Sequence, residues 1–325
     1  MTAAPSAGTE NVYLIPGQGG DPRGALRGLH ESEPWIRSAI DEVFAEVEPV
    51  GTVHGLGSAR DVLLAETKSS IAPGAFPFAA YTASIAVHRV LADADADVRP
   101  KRVIGQSFGE IAALVCAGAF TVAEGAAAVC ALNEAFRLVQ GRGGMVLVRA
   151  STADTEKVLA LLMRSDLVVA CVDAPDETIV SGPNDAVDAL LSLQAREGDE
   201  VPKLARLAVP YASHHPDLAP VAARFRAGLE PLRQRALNCE VLSPVRRRAY
   251  ADTDDLRDAL ADCVVKPVQL IEAFETPAGS APFFIQIGVG ASLCRCARAT
   301  LPGARTLAPL ADPPAARELL RPLIP

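Results

Sequence analysis

The sequence predicts an α/β protein in which a large domain is interrupted by a small ferredoxin-like domain. Three features carry that expectation. Strand-like apolar runs alternate with helical stretches along most of the chain. At Arg102–Gly118 a strand runs into a glycine-flanked serine and then a buried helix. In the middle, the order β-α-β-β-α-β occupies about 65 residues, the split βαβ pattern. A length of 325 residues fits one large domain with an insert, and 50% hydrophobic with 22% charged residues excludes wholesale disorder.

The elements follow in order. Asn11–Pro16 (NVYLIP) is a short apolar run stopped by proline and glycine, hence a buried strand, and the first ten residues are expected as a flexible tail. Gly17–Gly20 is a glycine-rich turn. Ala79–Leu91 has helical spacing, Arg102–Gly105 is a strand, and the alanine-rich Phe108–Gly118 is a buried helix. The small domain is read as strand Met145–Ala150, helix Thr152–Met163, strands Leu167–Val172 and Thr178–Ser181, helix Asn184–Glu197 and strand Ala205–Val209. The expected boundaries are therefore 1–144 and 210–325 for the large domain and 145–209 for the insert. Helices are expected near Leu218–Arg235, Asp254–Cys263 and Val268–Thr276. They are followed by the strand Pro282–Ile287, a last helix, the strand-like Arg305–Leu310 and a proline-rich tail.

A formal charge of −8 argues against a general nucleic-acid or anionic-membrane binder. No apolar run reaches the ~18 residues of a membrane span, and the N-terminus lacks the basic and apolar blocks of a signal peptide. Seven cysteines, mostly in apolar surroundings, are read as reduced thiols, and the expected location is cytoplasmic. Neither the cysteines nor the five histidines show metal-ligand spacing, so no metal is expected.

Gly105-Gln106-Ser107-Phe108-Gly109 fits G-x-S-x-G, the nucleophile elbow. Small residues two positions either side let the backbone pack closely while the serine hydroxyl projects from a strained turn. The N–H of the following residue then faces a developing oxyanion at the positive end of a helix. A serine nucleophile needs a base. His214 and His215 lie together in a loop between a strand and a helix, whereas His30, His54 and His88 are more simply structural.

At these residues the sequence resembles the malonyl-CoA:acyl carrier protein transacylases and the acyltransferase domains of polyketide synthases. Gly17-Gln18-Gly19-Gly20 is similar to the family's GQGSQ turn, and Gly105–Ala119 to GHSxGE followed by YAALVAAGA. Asp173–Gly182 resembles NxPxQxVISG, Tyr211-Ala212-Ser213-His214 matches YASH, Pro267-Val268-Gln269 resembles PVxW, and Ile287–Gly290 resembles EVGPG. The resemblance spans nearly the whole chain and implies an α/β-hydrolase-like large domain. It makes Ser107 the nucleophile, His214 the base and His215 a neighbour. It places the oxyanion hole at the backbone N–H groups of Gln18 and Phe108, and has the backbone carbonyl around Gln269 orient the histidine. The implied reaction passes an acyl group from a thioester, through an acyl-serine, to the phosphopantetheine thiol of an acyl carrier protein. No cofactor is bound, since the phosphopantetheine belongs to the partner, and the donor is acyl-CoA or an acyl carrier protein. A trans-acting, monomeric enzyme of polyketide and antibiotic biosynthesis is expected.

The departures concern substrate. Counting from Ser107, the arginine that pairs with the free carboxylate in malonyl-type members becomes Leu132. Leucine there leaves a buried carboxylate unpaired, a cost of several kcal/mol. Arg137 lies five positions on, on another face. The family's TQPAL segment reads Phe76-Pro77-Phe78-Ala79-Ala80, the elbow carries Gln106 for histidine, and Asp173 and Glu177 replace asparagine and glutamine. The expected acyl group is neutral, or aminoacyl or peptidyl with Glu134 or Asp173 near an ammonium. Tyr211 and Ser213 are expected to shape the pocket, and Arg233, Arg235 and Arg246–Arg248 are candidates for docking an acidic carrier. An editing hydrolase of the same fold, a malonyl or methylmalonyl transacylase and a carrier-binding scaffold are the competing expectations.

Overall fold

Residues 10–65, 72, 74–94, 98–276 and 282–320 are described by the structure, a computed structural model. The expected N-terminal tail lies outside them except for Glu10, which opens a strand. Eleven strands occur among these residues: β1 (Glu10–Ile15), β2 (Arg102–Gly105), β3 (Gly143–Val148), β4 (Val168–Ala174), β5 (Glu177–Pro183), β6 (Leu204–Arg206), β7 (Glu240–Ser243), β8 (Arg248–Ala249), β9 (Val268–Gln269), β10 (Pro282–Gln286) and β11 (Arg305–Leu307). They form a six-stranded sheet ordered β11-β10-β1-β2-β7-β8 and a five-stranded sheet ordered β6-β3-β5-β4-β9.

The large sheet is parallel from β11 to β7, closed by the antiparallel β7–β8 pair. Parallel strands covered on both faces must be apolar throughout, and β1 is buried along Asn11–Ile15. Its side chains alternate between two cores. Tyr13 and Ile15 pack with the helices Pro34–Val53, Ala75–Ala94, Gly109–Cys116 and Val122–Phe136. Val12 and Leu14 pack with Leu270, Phe274, Leu293 and Ala297 on the opposite side.

The second sheet has antiparallel β3–β6, β3–β5 and β4–β5 pairs, with helices Thr152–Leu162 and Asn184–Glu197 in the connections. This is the ferredoxin-like arrangement. Val146 and Val148 face those helices in a third core, while Met145 on the other face joins the core around Leu270 and Leu293.

Several segments differ from expectation, three of them as follows. Val268–Thr276 begins as β9, which pairs in parallel with β4, and only Leu270–Glu275 is helical. Thus a strand from the chain beyond residue 210 joins the small sheet. The helix expected over Leu218–Arg235 is Ala219–Gly228, because residues beyond Gly228 turn toward β7. The proline-rich tail includes a helix at Pro313–Leu320, where prolines at the first turn lack only an N–H that would be unpaired anyway. Among the described residues no helix is long and apolar enough to cross a membrane.

Candidate active site

Ser107 stands in the turn between β2 and the helix Gly109–Cys116, with φ of 55°, a left-handed conformation that is uncommon outside glycine. The turn fits only because its neighbours lack side chains. A methyl group on Gly105 would lie 2.5 Å from the Glu110 nitrogen, and one on Gly109 would lie 2.3 Å from the Ile15 carbonyl oxygen. A methyl on Gly17 would lie 3.0 Å from the Gln106 carbonyl, so the Gly17–Gly20 turn after β1 sits against the elbow. Both loops leave the carboxyl ends of adjacent parallel strands, where open α/β sheets bind ligands.

His214 Nε2 is 2.7 Å from Ser107 Oγ, and His214 Nδ1 is 2.8 Å from the carbonyl oxygen of Lys266. A carbonyl only accepts, so Nδ1 carries the proton and Nε2 is free to accept from the serine hydroxyl. The histidine backbone N–H also donates to the Val264 carbonyl at 2.9 Å. Thus the end of the helix Leu256–Val265 holds both the main chain and the ring of His214. Burial pushes the His214 pKa down to about 4, against the raising influence of the Lys266 carbonyl, so the imidazole is neutral at pH 7.

The orienting carbonyl is therefore that of Lys266 and not that of Gln269. Pro267 explains the placement. It disfavours helical backbone at the preceding residue, and Lys266 is extended at φ −94°, ψ 149°. This ends the helix and frees the carbonyl for the histidine. Gln269 has already entered β9, its N–H donating to the Pro244 carbonyl at 3.0 Å.

Among the described residues, the backbone N–H groups of Gln18 and Phe108 have no hydrogen-bond partner, and both residues line the Ser107 cavity. Phe108 is the N-cap of the helix Gly109–Cys116, where unpaired N–H groups and the helix dipole favour negative charge. The Gln18 side chain is fixed from behind by the Tyr211 hydroxyl, which donates to Gln18 Oε1. Tyr211 in turn stacks on Phe136, with ring centroids 4.0 Å apart.

The cavity at Ser107 has a volume of about 410 Å³ and a mixed wall. Its apolar lining includes Ile111, Leu132, Phe136, Phe225, Leu260 and Val264, and its charged lining is Asp173, Glu177 and Arg295. Gln106 Nε2 donates to Asp173 Oδ1 at 2.9 Å, so two residues that depart from the family pattern touch each other across the subdomains. Burial, reinforced by the negative charge of Glu177, raises the Asp173 pKa to about 7, against the Gln106 hydrogen bond and Arg295. Buried Glu177 is paired with Arg149 and, at 3.2 Å, with Arg295. Arg295, on the helix Ser292–Thr300, is the one cation of this cavity among the described residues, and sequence reasoning passed over it. The signal was faint, since nothing in the segment Ser292–Thr300 relates it to Glu177, 118 positions away.

Ser213 lines the same cavity. Tyr211 and Glu134 do not: both line a neighbouring cavity, where Glu134 is half exposed and paired with Arg137 at 2.8 Å. The correction is one of helical geometry, for two residues advance the helix by about 200°, which turns Glu134 away from the side of Leu132. His215 is buried and structural: its Nδ1 accepts from the Asp217 N–H and its Nε2 donates to the Asp166 carbonyl. Arg235, Arg246, Arg247 and Arg248 pair with Glu124, Asp262, Glu272 and Asp254 of their own chain. Among the described residues no cluster of three or more His, Cys, Asp or Glu is placed to hold a metal ion.

Glu110, next to the elbow, is fully buried. It accepts hydrogen bonds from Ser243 Oγ at 2.8 Å and from the Tyr250 hydroxyl. Burial raises its pKa to about 7, against those hydrogen bonds.

Comparisons with known proteins identify the family and the fold. Residues 12–306 match the family model described as an acyl transferase domain. The chain is 32% identical over 253 residues to the spectinabilin polyketide synthase system protein NorA' of Streptomyces orinoci, covering 76% of this chain and 7% of that protein. It is 31% identical over 241 residues to the erythronolide synthase EryA3 of Saccharopolyspora erythraea, again covering 7% of the relative. The chain thus spans a small fraction of these relatives' length. The acyltransferase domain from module 8 of the salinomycin polyketide synthase superposes with a TM-score of 0.83 at 26% identity, over 97% of this chain and 74% of that one. The fold is shared with the malonyl CoA-acyl carrier protein transacylase of Coxiella burnetii, with a TM-score of 0.83 at 22% identity over 97% and 96% of the two chains.

Proposed function

The chain belongs to the acyl transferase domain family, and on that premise we propose that it carries an acyl group other than a dicarboxylate from a thioester donor, through an ester on Ser107, to the phosphopantetheine thiol of an acyl carrier protein in polyketide biosynthesis. His214 Nε2 takes the hydroxyl proton as Ser107 Oγ attacks the thioester carbonyl. The carbonyl oxygen becomes an oxyanion facing the N–H groups of Gln18 and Phe108. Collapse breaks the C–S bond, and the proton passes from His214 to the departing thiolate. The acceptor thiol then gives its proton to His214 and attacks the ester, and as the C–O bond breaks His214 returns that proton to Ser107 Oγ. A thioester is already activated, so these groups suffice for the exchange.

The observation that carries the substrate assignment is Leu132 in the wall of the Ser107 cavity. A carboxylate on the acyl unit would meet leucine, phenylalanine and valine side chains without a partner, at a cost of several kcal/mol. Arg295 does not supply the missing charge, since it is paired with buried Glu177. The buried carboxyl of Asp173 favours a donor group opposite it, which suits the ammonium or amide N–H of an aminoacyl or peptidyl unit.

Leu132→Arg tests this. With malonyl-CoA as donor, acylation of Ser107 followed by intact mass should rise at least tenfold over wild type, with labelling by a fluorophosphonate reporting an intact site. No rise in a labelled variant, or a wild-type preference for malonyl-CoA, rejects the assignment.

A further inference from the structure

A second cavity of about 630 Å³ lies beside the first, and the two share Gln18, Gly19, Gly20, Phe136, Leu207 and Val209 in their walls. The helix Val122–Phe136 and its extension explain how one element serves both. Cys130, Asn133, Glu134 and Arg137 follow the i, i+3, i+4, i+7 spacing of a single helical face, and all four line the second cavity. Leu132 lines only the first, and Phe136, one turn on, is at the seam. The partition between the cavities is thus the stacked pair Phe136–Tyr211 with Gln18 hydrogen-bonded to the tyrosine. The second cavity is larger than the catalytic one. Its middle is apolar, with Leu56, Pro77, Ala80, Phe136 and Val209. Its outer part carries Asp21, His54 and the Glu134–Arg137 ion pair.

We propose that this cavity receives the far portion of an extended acyl chain, one that leaves Ser107, bends past Tyr211 and runs between Ala80 and Ala208, and that this far portion is apolar up to its end. The proposal rests on acyl transfer through Ser107 and names the class of acyl group. Two observations favour this occupant. The two cavities share the loop that bears the Gln18 N–H, so a chain held at the oxyanion site borders both. The Phe76–Ala80 segment contributes Phe76, Pro77 and Ala80 to the second wall. Of the polar groups lining it, Asp21, His54 and Arg137 are exposed, Glu134 pairs with Arg137, Asn133 donates to the Gly74 carbonyl and Tyr211 to Gln18.

The test fills the second cavity from either wall, with Ala80→Phe and separately Ala208→Phe, neither of which lines the Ser107 cavity. The probes are the N-acetylcysteamine thioesters of acetate and octanoate, and the readout is the ratio of octanoyl to acetyl acylation rates at Ser107 by intact mass. Fluorophosphonate labelling selects variants with an intact nucleophile. A fall in the ratio of tenfold or more in a labelled variant supports the proposal. A smaller change overturns it, including the case where both rates fall together because the cavity serves the pantetheine arm. If neither probe nor any other donor acylates wild-type Ser107, the parent assignment of acyl transfer fails instead, which separates the two outcomes.

Discussion

Acylation of Ser107 should be nearly indifferent to acid down to about pH 5, well below the range in which an ordinary histidine base fails. The perturbation is a drop from pH 7 to pH 5.5. His214 is 2% exposed, and burial lowers its pKa to about 4, so removing water outweighs the carbonyl of Lys266. At pH 5.5 a base of pKa about 4 is about 97% neutral, whereas one at the usual 6.5 is about 9% neutral, a tenfold gap in active base. The assay is the burst of acyl-enzyme from an acetyl thioester, quenched and read by intact mass between pH 4 and 8. The same profile in Asp173→Asn removes the other cavity group that titrates near neutrality, since Asp173 is raised to about 7. A burst rate within about twofold of its pH 7 value at pH 5.5 is expected in both proteins. A tenfold fall centred near pH 6.5 would refute the claim that the buried site holds the imidazole neutral.

Three further outcomes follow from the same geometry. Pro267→Ala removes the restraint on Lys266, so the helix can continue and its carbonyl leaves His214; kcat should fall about tenfold or more with KM little changed. Gly109→Ala places a methyl 2.3 Å from the Ile15 carbonyl and should cost about 3 kcal/mol of stability in chemical denaturation. Glu110 has a folded pKa raised to about 7 above an ordinary value of 4.5. Its contribution is therefore complete below pH 4.5 and is lost as pH rises through about 7, amounting to about 3 kcal/mol in full. Between pH 5.5 and pH 9 denaturation should show about 2 kcal/mol of that loss in wild type and none of it in Glu110→Gln, and an equal loss in both would contradict it.

The parts of the site legible in the sequence are those whose chemistry imposes a local pattern. Ser107 announces itself because a strained turn needs glycines at 105 and 109, and the His214–His215 pair because a base must come from somewhere and few histidines offer; the family resemblance, not the pattern, singles out His214. The carbonyl that orients His214 is a main-chain group, carried by any residue, and its position is fixed by Pro267 ending a helix. The signal was a proline at a helix boundary, read as part of a motif and assigned to Gln269, three residues late. Contacts between remote segments were not legible. Gln106 and Asp173 were each noted as departures, but only the packing of the small sheet against the elbow makes them partners. The strands and most helices of the small domain follow from alternation and helical spacing. Among the large domain's elements, β7 is only four residues of mixed polarity. The helix Pro34–Val53 contains Pro49 and Gly51, which break its pattern although its buried face is regular. The face that Glu134 presents was misjudged because residue spacing from Ser107 fixes Leu132 but not which side of the helix borders the cavity.

The most direct measurement is intact-mass analysis of wild type and Ser107→Ala after incubation with acetyl, octanoyl, aminoacyl and malonyl thioesters, on both coenzyme A and a holo acyl carrier protein. The expected result is a single acyl mass on wild type from the uncharged or amino-bearing donors, none from malonyl, none on Ser107→Ala, and discharge of the ester when a fresh holo carrier is added. A malonyl adduct in preference to the others, or an adduct that persists on Ser107→Ala, would contradict it.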